Sequence, residues 1–213
     1  MHTFIRLMEK VATRYAPSRR LSFDTVHVLV TFQLIYRLGH VSRSTLGSEL
    51  GLGEGAVKTL IKHMKMHGLI ETSNGGTRAT AKGESVCSEL ASLLPSELVL
   101  PGSSLSLGRC NYAVLLREFG YAVKSGIEQR DAAIRTGAVG ATTLLFKDSK
   151  FVMPSSNVDS LKKEQDLRKI LIEKLRPQEG DVLIVGSADN LKIAELAAKN
   201  AALSTIMAHE NHN

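Results

Sequence analysis

Apolar residues in the first part of the chain recur every three or four positions, which is typical of amphipathic helices. This spacing predicts four helices, within residues 3–15, 22–38, 42–50 and 53–67. Because proline and glycine commonly end helices, we expect helix ends at Pro17, Gly39, Gly51 and Gly68. Serine side chains often cap helix N-termini, so we expect Ser22 to begin the second helix and Ser42 the third.

A short hairpin and a fifth helix are predicted next. Leu69–Ser73 and Thr77–Thr80 lie on either side of Asn74-Gly75-Gly76. An Asn-Gly pair between two short segments is the strongest local signal for a tight hairpin. Helical spacing then returns over residues 81–94.

Beyond residue 95 the chain changes to short apolar runs. The segment 95–108 is rich in proline, glycine and serine, and we place the domain boundary between residues 97 and 98. Strands are predicted at residues 111–116, 141–146, 150–153, 181–185 and 204–207, and helices at 161–175 and 190–202. Residues 127–135 fit either a strand or a helix, and we expect a strand. The expected fold class is α+β, with a mostly α-helical N-terminal domain and a C-terminal domain built on a mixed α/β sheet.

Charge is distributed unevenly between these two parts. The chain has a net charge of +6. Residues 1–82 contain 12 lysines and arginines against 5 aspartates and glutamates, so the first part is basic and the remainder nearly neutral. This asymmetry favours a polyanionic partner for the first part alone. No apolar run reaches the length of a membrane span and the N-terminus lacks a signal peptide's apolar core, so we expect a cytoplasmic protein.

The fourth predicted helix has an apolar stripe on one face and positive charge on the other. The stripe consists of Val57, Leu60, Ile61 and Met64, which must face the core. The opposite face holds Glu54, Lys58, Thr59, Lys62 and Lys65. Such a helix can enter the major groove of DNA, where its lysines meet phosphates and Lys58 and Thr59 can reach base edges.

Further contacts to DNA are expected from the elements on either side of this helix. The start of the preceding helix offers phosphate contacts from Ser42, Arg43 and Ser44. The hairpin offers contacts to the flanking backbone or minor groove from Asn74, Thr77 and Arg78.

The order of these elements resembles the winged helix-turn-helix family over residues 22–94. The resemblance lies in Leu46, Leu50 and Gly51, in the stripe of the fourth helix, and in the phrases His67–Glu71 and Thr80–Gly83 around the hairpin. The whole chain resembles archaeal regulators in which a winged helix precedes a domain of unknown function. The resemblance implies a transcription regulator that binds double-stranded DNA. We expect it to be a homodimer, held by the apolar face of the first helix, by the C-terminal sheet, or by both.

Two places in the second domain are candidates for binding a small-molecule effector. One is the polar cluster Gln129, Arg130, Asp131 and Arg135. The other is the predicted turn with Gly186, Ser187 and Asp189, where free backbone N–H groups can face an anion. Both have structural alternatives, since Asp189 can cap the following helix and an Arg–Asp pair can be purely structural.

The sequence shows no arrangement typical of catalysis, and we expect neither enzymatic activity nor a cofactor. Cys87 and Cys110 have no metal-ligand spacing around them. His63 and His67 lie four residues apart, but without nearby ligands we interpret them as surface histidines rather than a metal site. Two other functions stay open: an enzyme with an appended regulatory winged helix, and a winged helix that binds proteins.

Overall fold

The computed structural model describes residues 3–13 and 21–210. The chain forms two compact units, Met1–Ala91 and Ser92–Asn213, so the division lies earlier than the expected position between residues 97 and 98. That position falls inside a strand of the second unit, β3 (Ser96–Leu100). In the described ranges, no helix is both long and apolar enough to cross a membrane.

The first unit has the predicted order of elements. They are α1 (Thr3–Val11), α2 (Thr25–Leu38), α3 (Arg43–Leu50), α4 (Glu54–Met66), β1 (Ile70–Ser73), β2 (Gly76–Ala79) and most of α5 (Ala81–Leu93). β1 and β2 are antiparallel, with Ser73 opposite Gly76 across the Asn74-Gly75 turn. The helix-turn-helix and hairpin predicted from the sequence are therefore present.

The helix ends of this unit follow from a few side chains. The N-cap of α2 is Asp24 rather than the expected Ser22, because Asp24 forms a capping box with His27. Ser42 caps α3 as expected, and Gly51 ends α3 in the left-handed conformation. Gly39 ends α2 with φ 73°. Tyr15 and Pro17, at the predicted end of α1, lie outside the described residues.

The apolar face of α1 packs inside its own unit. Phe4, Met8 and Val11 are at most 1% exposed. The expectation that this face joins two copies of the chain is therefore wrong, because its side chains are already covered by the first unit's core.

A five-stranded antiparallel sheet forms the centre of the second unit. Its strands are β3 (Ser96–Leu100), β4 (Cys110–Leu116), β5 (Gly140–Lys147), β6 (Lys150–Val152) and β7 (Val182–Ala188), in the spatial order β3-β4-β7-β5-β6. The helices are α6 (Ile127–Ile134), α7 (Gln165–Leu175) and α8 (Leu191–Glu210). Leucines of α7 join the core cluster on one face of the sheet, and α8 packs on β4 and β7 and against α6.

Two predicted strands of this unit are wrong, and one predicted helix begins later than expected. Residues 127–135 form helix α6 instead of a strand, because the buried positions Gln129, Ala132 and Ala133 follow helical spacing. Residues 204–207 continue α8 instead of forming a strand. Helix α7 begins at Gln165 rather than near Leu161.

Candidate nucleic-acid interface

Helix α4 presents its two predicted faces as expected. Val57, Leu60, Ile61 and Met64 are at most 5% exposed and fix the rotation of the helix about its axis. Glu54, Lys58, Lys62 and Lys65 are exposed, whereas Thr59 is half-buried. The amphipathic pattern therefore turns Lys58 and Lys62 toward solvent.

The first turn of α4 leaves room for a partner to approach its backbone. The N-cap is Gly53, which has no side chain to form a capping hydrogen bond. A Cβ added at Gly53 or Gly55 would meet no atom within 4 Å. The Thr59 hydroxyl donates a hydrogen bond to the Gly55 carbonyl oxygen at 2.9 Å, so its own oxygen still can accept one. A ligand with hydrogen-bond donors can therefore reach this turn.

At the start of α3, the serine at the N-cap has a structural role and the arginine beside it is exposed. Ser42 Oγ accepts a hydrogen bond from the Thr45 backbone N–H at 3.0 Å and lies 2.8 Å from Ser44 Oγ. Ser42 thus has a structural task, whereas the side chain of Arg43 is exposed. Of the three predicted residues, Arg43 is the one best placed to reach a phosphate.

The hairpin brings its predicted residues to different environments. Asn74 is exposed at the turn. Arg78 is exposed but paired within the hairpin, since its Nε and Nη2 atoms each lie 2.5 Å from Glu71 Oε1. Lys65 Nζ donates to Thr72 Oγ1 at 3.0 Å, which connects α4 to the hairpin. Any phosphate contact by Arg78 must compete with Glu71.

Thr77 does not lie on the surface, contrary to expectation. Its exposed fraction is 1%. Its backbone pairs with Val41 in the turn before α3, through two hydrogen bonds of 2.8 and 2.9 Å. Gly76 makes this approach possible: its φ is 119°, and a Cβ there would lie 3.0 Å from the Val41 carbonyl oxygen. Thr77 therefore holds the hairpin against the helix-turn-helix.

One exposed residue near the hairpin was missed from the sequence. His40 lies in the turn before α3, and its ring is 4.0 Å from the position of a Cβ added at Gly75. Its position beside the hairpin depends on the pairing of Val41 with Thr77. No local sequence signal reveals that pairing.

Of the two histidines interpreted as surface residues, His63 in α4 is buried and His67, the C-cap of α4, is half-buried. His63 is 6% exposed, its Nδ1 lies 2.8 Å from the Val11 carbonyl oxygen, and its ring meets Phe23 edge-on. The interpretation of His63 as a surface residue is wrong. Burial lowers the pKa of His67, and the positive charge of Lys82 lowers it further. Among the described residues, no group of three or more potential ligands could hold a metal ion.

In the second unit, the predicted effector cluster is divided by burial. Gln129 is 3% exposed and points toward α8, where its Nε2 donates to Thr205 Oγ1 at 2.8 Å. Arg130, Asp131 and Arg135 are exposed on α6. The four residues therefore do not line one common site.

The second predicted effector site is also wrong, because Gly186 and Ser187 belong to strand β7. Both residues lie opposite residues of β4 and of β5, so the strand has neighbours on both sides and forms no open turn. Gly186 allows β7 and α8 to pack closely, since a Cβ at this position would lie 2.3 Å from the Ala194 carbonyl oxygen of α8. Asp189 is exposed and does not cap α8. That task falls to Asn190, whose Oδ1 accepts from the Lys192 backbone N–H at 2.8 Å.

Comparisons with known proteins concern the second unit and the fold. Residues 107–206 match the family model described as Domain of unknown function (DUF4443). The fold is similar to that of a solved structure described as Hypothetical protein PH0730 from Pyrococcus horikoshii OT3, an archaeon. The TM-score is 0.69, and the match covers 90% of this chain and 96% of that chain. At 24% sequence identity this similarity concerns the fold alone. No curated protein matches the chain.

The family match leaves out the elements that form the candidate interface. Residues 107–206 include strands β4 to β7 and most of α8, but none of α2, α3, α4 or the hairpin. The family match therefore carries no information about the function of the first unit.

Proposed function

We propose that the first unit binds double-stranded DNA and that the protein regulates transcription. The observation that carries the proposal is the exposure of Lys58 and Lys62 on the face of α4 opposite its buried stripe. They belong to the part of the chain that contains the excess of positive charge. Lysines on a helix of this position can neutralise phosphates on both sides of a major groove.

The first turn of α4 is the part that would face the base edges. Gly53 and Gly55 allow a close approach, and Lys58 and Thr59 follow within one helical turn. The ammonium group of Lys58 can donate to guanine acceptors, and the Thr59 oxygen can accept from an amino group. Asn74 at the hairpin turn and Arg43 at the start of α3 would contact the flanking backbone.

We also propose that the protein acts as a homodimer, because one winged helix makes few base contacts and two copies double the site. The outer side of α6 is the surface we assign to the dimer. Ile127 and Ile134 lie seven residues apart, on the same side of the helix, and are 57% and 43% exposed. Val139, in the loop after α6, is 52% exposed.

The DNA-binding proposal is tested by the salt dependence of binding to a mixed-sequence duplex. The double substitution Lys58→Ala and Lys62→Ala should weaken binding and lower the slope of log K against log salt by about 0.9 for each phosphate that is no longer neutralised. A matched control replaces Lys147 and Lys150, two exposed lysines of the second unit, by alanine. The control removes the same charge and should leave most of the affinity intact.

Two outcomes would contradict the proposal. One is that the unmodified protein does not bind duplex DNA at low ionic strength. The other is that both double variants bind with equally reduced affinity, since the effect then reflects overall charge rather than α4. If Lys58 and Lys62 could be replaced without any effect on DNA affinity, a protein-binding role of the winged helix would be favoured.

A further inference from the structure

Helix α6 has one face in the core of the second unit and the opposite face in solvent. Gln129, Ala132 and Ala133 are at most 3% exposed and fix the rotation of the helix about its axis. Each residue turns an α-helix by about 100°, so Ile127 and Ile134 lie only about 20° apart, on the exposed side. Exposed isoleucines are common on protein surfaces and do not by themselves indicate a partner.

The two isoleucines have an exposed positive charge on one flank and an exposed negative charge on the other. Measured from the line that joins Ile127 and Ile134, Arg130 is rotated by about 50° to one side and Asp131 by about 50° to the other. Adjacent residues of a helix do not face each other. Within the described part of the chain, neither the Arg130 guanidinium nor the Asp131 carboxylate belongs to an ion pair.

The exposed apolar surface continues beyond α6 on the flank of Arg130. A Cβ added at Gly140 would lie 3.2 Å from Leu107 Cδ1 and 3.5 Å from Arg130 Cγ, so these two side chains lie close together. Leu107 is 49% exposed. An ion pair that Arg130 forms beside this leucine is partly shielded from water, and such a pair is stronger than a fully exposed one.

A second copy of the same face supplies a partner for each of the two charges. A two-fold axis places the same patch on both sides of a contact. When two helices related by such an axis run parallel, each flank meets the opposite flank of the other helix, as in parallel coiled coils. Arg130 then faces Asp131 of the second copy. When the helices run antiparallel, like flanks meet, so arginine faces arginine and aspartate faces aspartate.

We propose that two copies of the chain pack through α6 with the two helices parallel, and that Arg130 of each copy pairs with Asp131 of the other. Ile127 then packs on Ile127 of the second copy, and Ile134 on Ile134. Reciprocal charge pairs fix the orientation of a contact more than they raise its affinity. The inference rests on the homodimer proposed above, to which it adds the orientation, and it does not depend on DNA binding.

The test reverses one charge at a time in the full chain and measures the dimer dissociation constant by analytical ultracentrifugation. Arg130→Asp brings carboxylates together at both pairs, and Asp131→Arg brings guanidinium groups together. Each variant should raise the dissociation constant by about tenfold or more, because like charges then face each other. An equimolar mixture of the two variants should restore it to within about threefold of the original value, because every pair then joins opposite charges.

A chain with both substitutions exchanges the two charges and should again form a homodimer. This variant also controls for damage to α6, since it changes the same two positions. Lys162→Asp and Asp166→Arg serve as matched controls at exposed residues outside α6, and each should leave the dissociation constant unchanged.

Three outcomes would overturn the proposed pairing. The first is an unchanged dimer in both single variants, because an antiparallel contact has like charges facing each other before and after each reversal. The second is that the single variants dissociate but do not associate when they are mixed. The third is a single-chain mass for the unmodified protein, which would also remove the proposed dimer. These measurements contain no DNA, so a failure of the proposed DNA binding is recognised separately.

Discussion

Asp181 lies fully buried just before β7 and accepts hydrogen bonds from three donors. Arg117 Nη1 lies 2.6 Å from Asp181 Oδ2, and the backbone N–H groups of Gln178 and Glu118 donate at 2.7 and 3.0 Å. A buried carboxylate is tolerated only when it is paired and hydrogen-bonded in this way. Asp181 therefore ties the loop before β7 to the end of β4.

We predict that Asp181→Asn lowers the free energy of unfolding by about 3 kcal/mol, because it leaves the partly buried Arg117 without its counter-charge. The matched control is Asp189→Asn. Asp189 also faces an arginine, Arg109 at 3.6 Å, but both side chains are largely exposed. The control should change stability by less than about 1 kcal/mol. Urea denaturation measures both, and equal decreases would contradict the role given to Asp181.

The thiol of Cys87 reports on the packing of the first unit. Burial raises the pKa of Cys87 to about 11, and the negative charge of Glu84 adds to this effect. At pH 7.5 its thiolate fraction is roughly 300-fold smaller than that of an exposed cysteine.

In a Cys110→Ser background, we predict that Cys87 reacts slowly with a disulfide reagent in the native protein and rapidly in urea. The reverse variant, Cys87→Ser, leaves the half-buried Cys110 as the reacting thiol. Native Cys87 should react more slowly than native Cys110. Comparable native rates for the two variants would show that the first unit is more open than described.

At the scale of elements, a glycine decides how closely α5 can approach the hairpin. A Cβ added at Gly83 would lie 2.0 Å from the Leu69 carbonyl oxygen, which no backbone tolerates without a shift. By contrast, a Cβ at Gly55 of α4 meets no atom within 4 Å. Of these two helical glycines, Gly55 can therefore accept a side chain and Gly83 cannot.

We predict that Gly83→Ala lowers stability by roughly 2–3 kcal/mol through overpacking. Gly55→Ala should raise stability by about 0.5–1 kcal/mol, because alanine favours helix more than glycine does. Thermal unfolding of both variants measures the difference. A neutral Gly83→Ala would mean that α5 can move away from Leu69 at little cost.

The elements that could be predicted from the sequence are those with both a periodic stripe and clear ends. Helix α4 is an example, since its apolar period continues from Val57 to Met64 between Gly53 and Gly68. Its exposed lysines follow from the same period. The sequence did not distinguish helix α6 from a strand, because a polar residue, Gln129, occupies its buried face. The end of α8 was obscured by Thr205 and Ile206, which are β-branched and favour strands.

The parts of the candidate site that depend on contacts between distant segments could not be predicted. The burial of Thr77 results from its pairing with Val41. The role of Gly186 results from the approach of α8. Local composition indicates neither contact, so the sequence alone predicts a DNA contact for Thr77 and an effector site at Gly186.

For the whole molecule, the proposed dimer makes a prediction about mass. Light scattering after gel filtration should give about twice the 23.1 kDa of one chain. Ile127→Lys together with Ile134→Lys should give a single-chain mass, because the charges face each other across the assigned surface. Val158→Lys, at a residue that is 71% exposed and does not belong to α6, serves as control. A single-chain mass for the unmodified protein would remove the dimer from the proposal and leave DNA binding to be judged separately.

The pairing of Val41 with Thr77 has a consequence for how the first unit opens. A hairpin of two short strands is barely stable alone in water, but here the turn before α3 supplies a third segment on one edge. When the hairpin frays, it must break that pairing as well. Local unfolding of the hairpin and of the turn before α3 should therefore occur together. Their backbone amides would exchange with deuterium as one cooperative group.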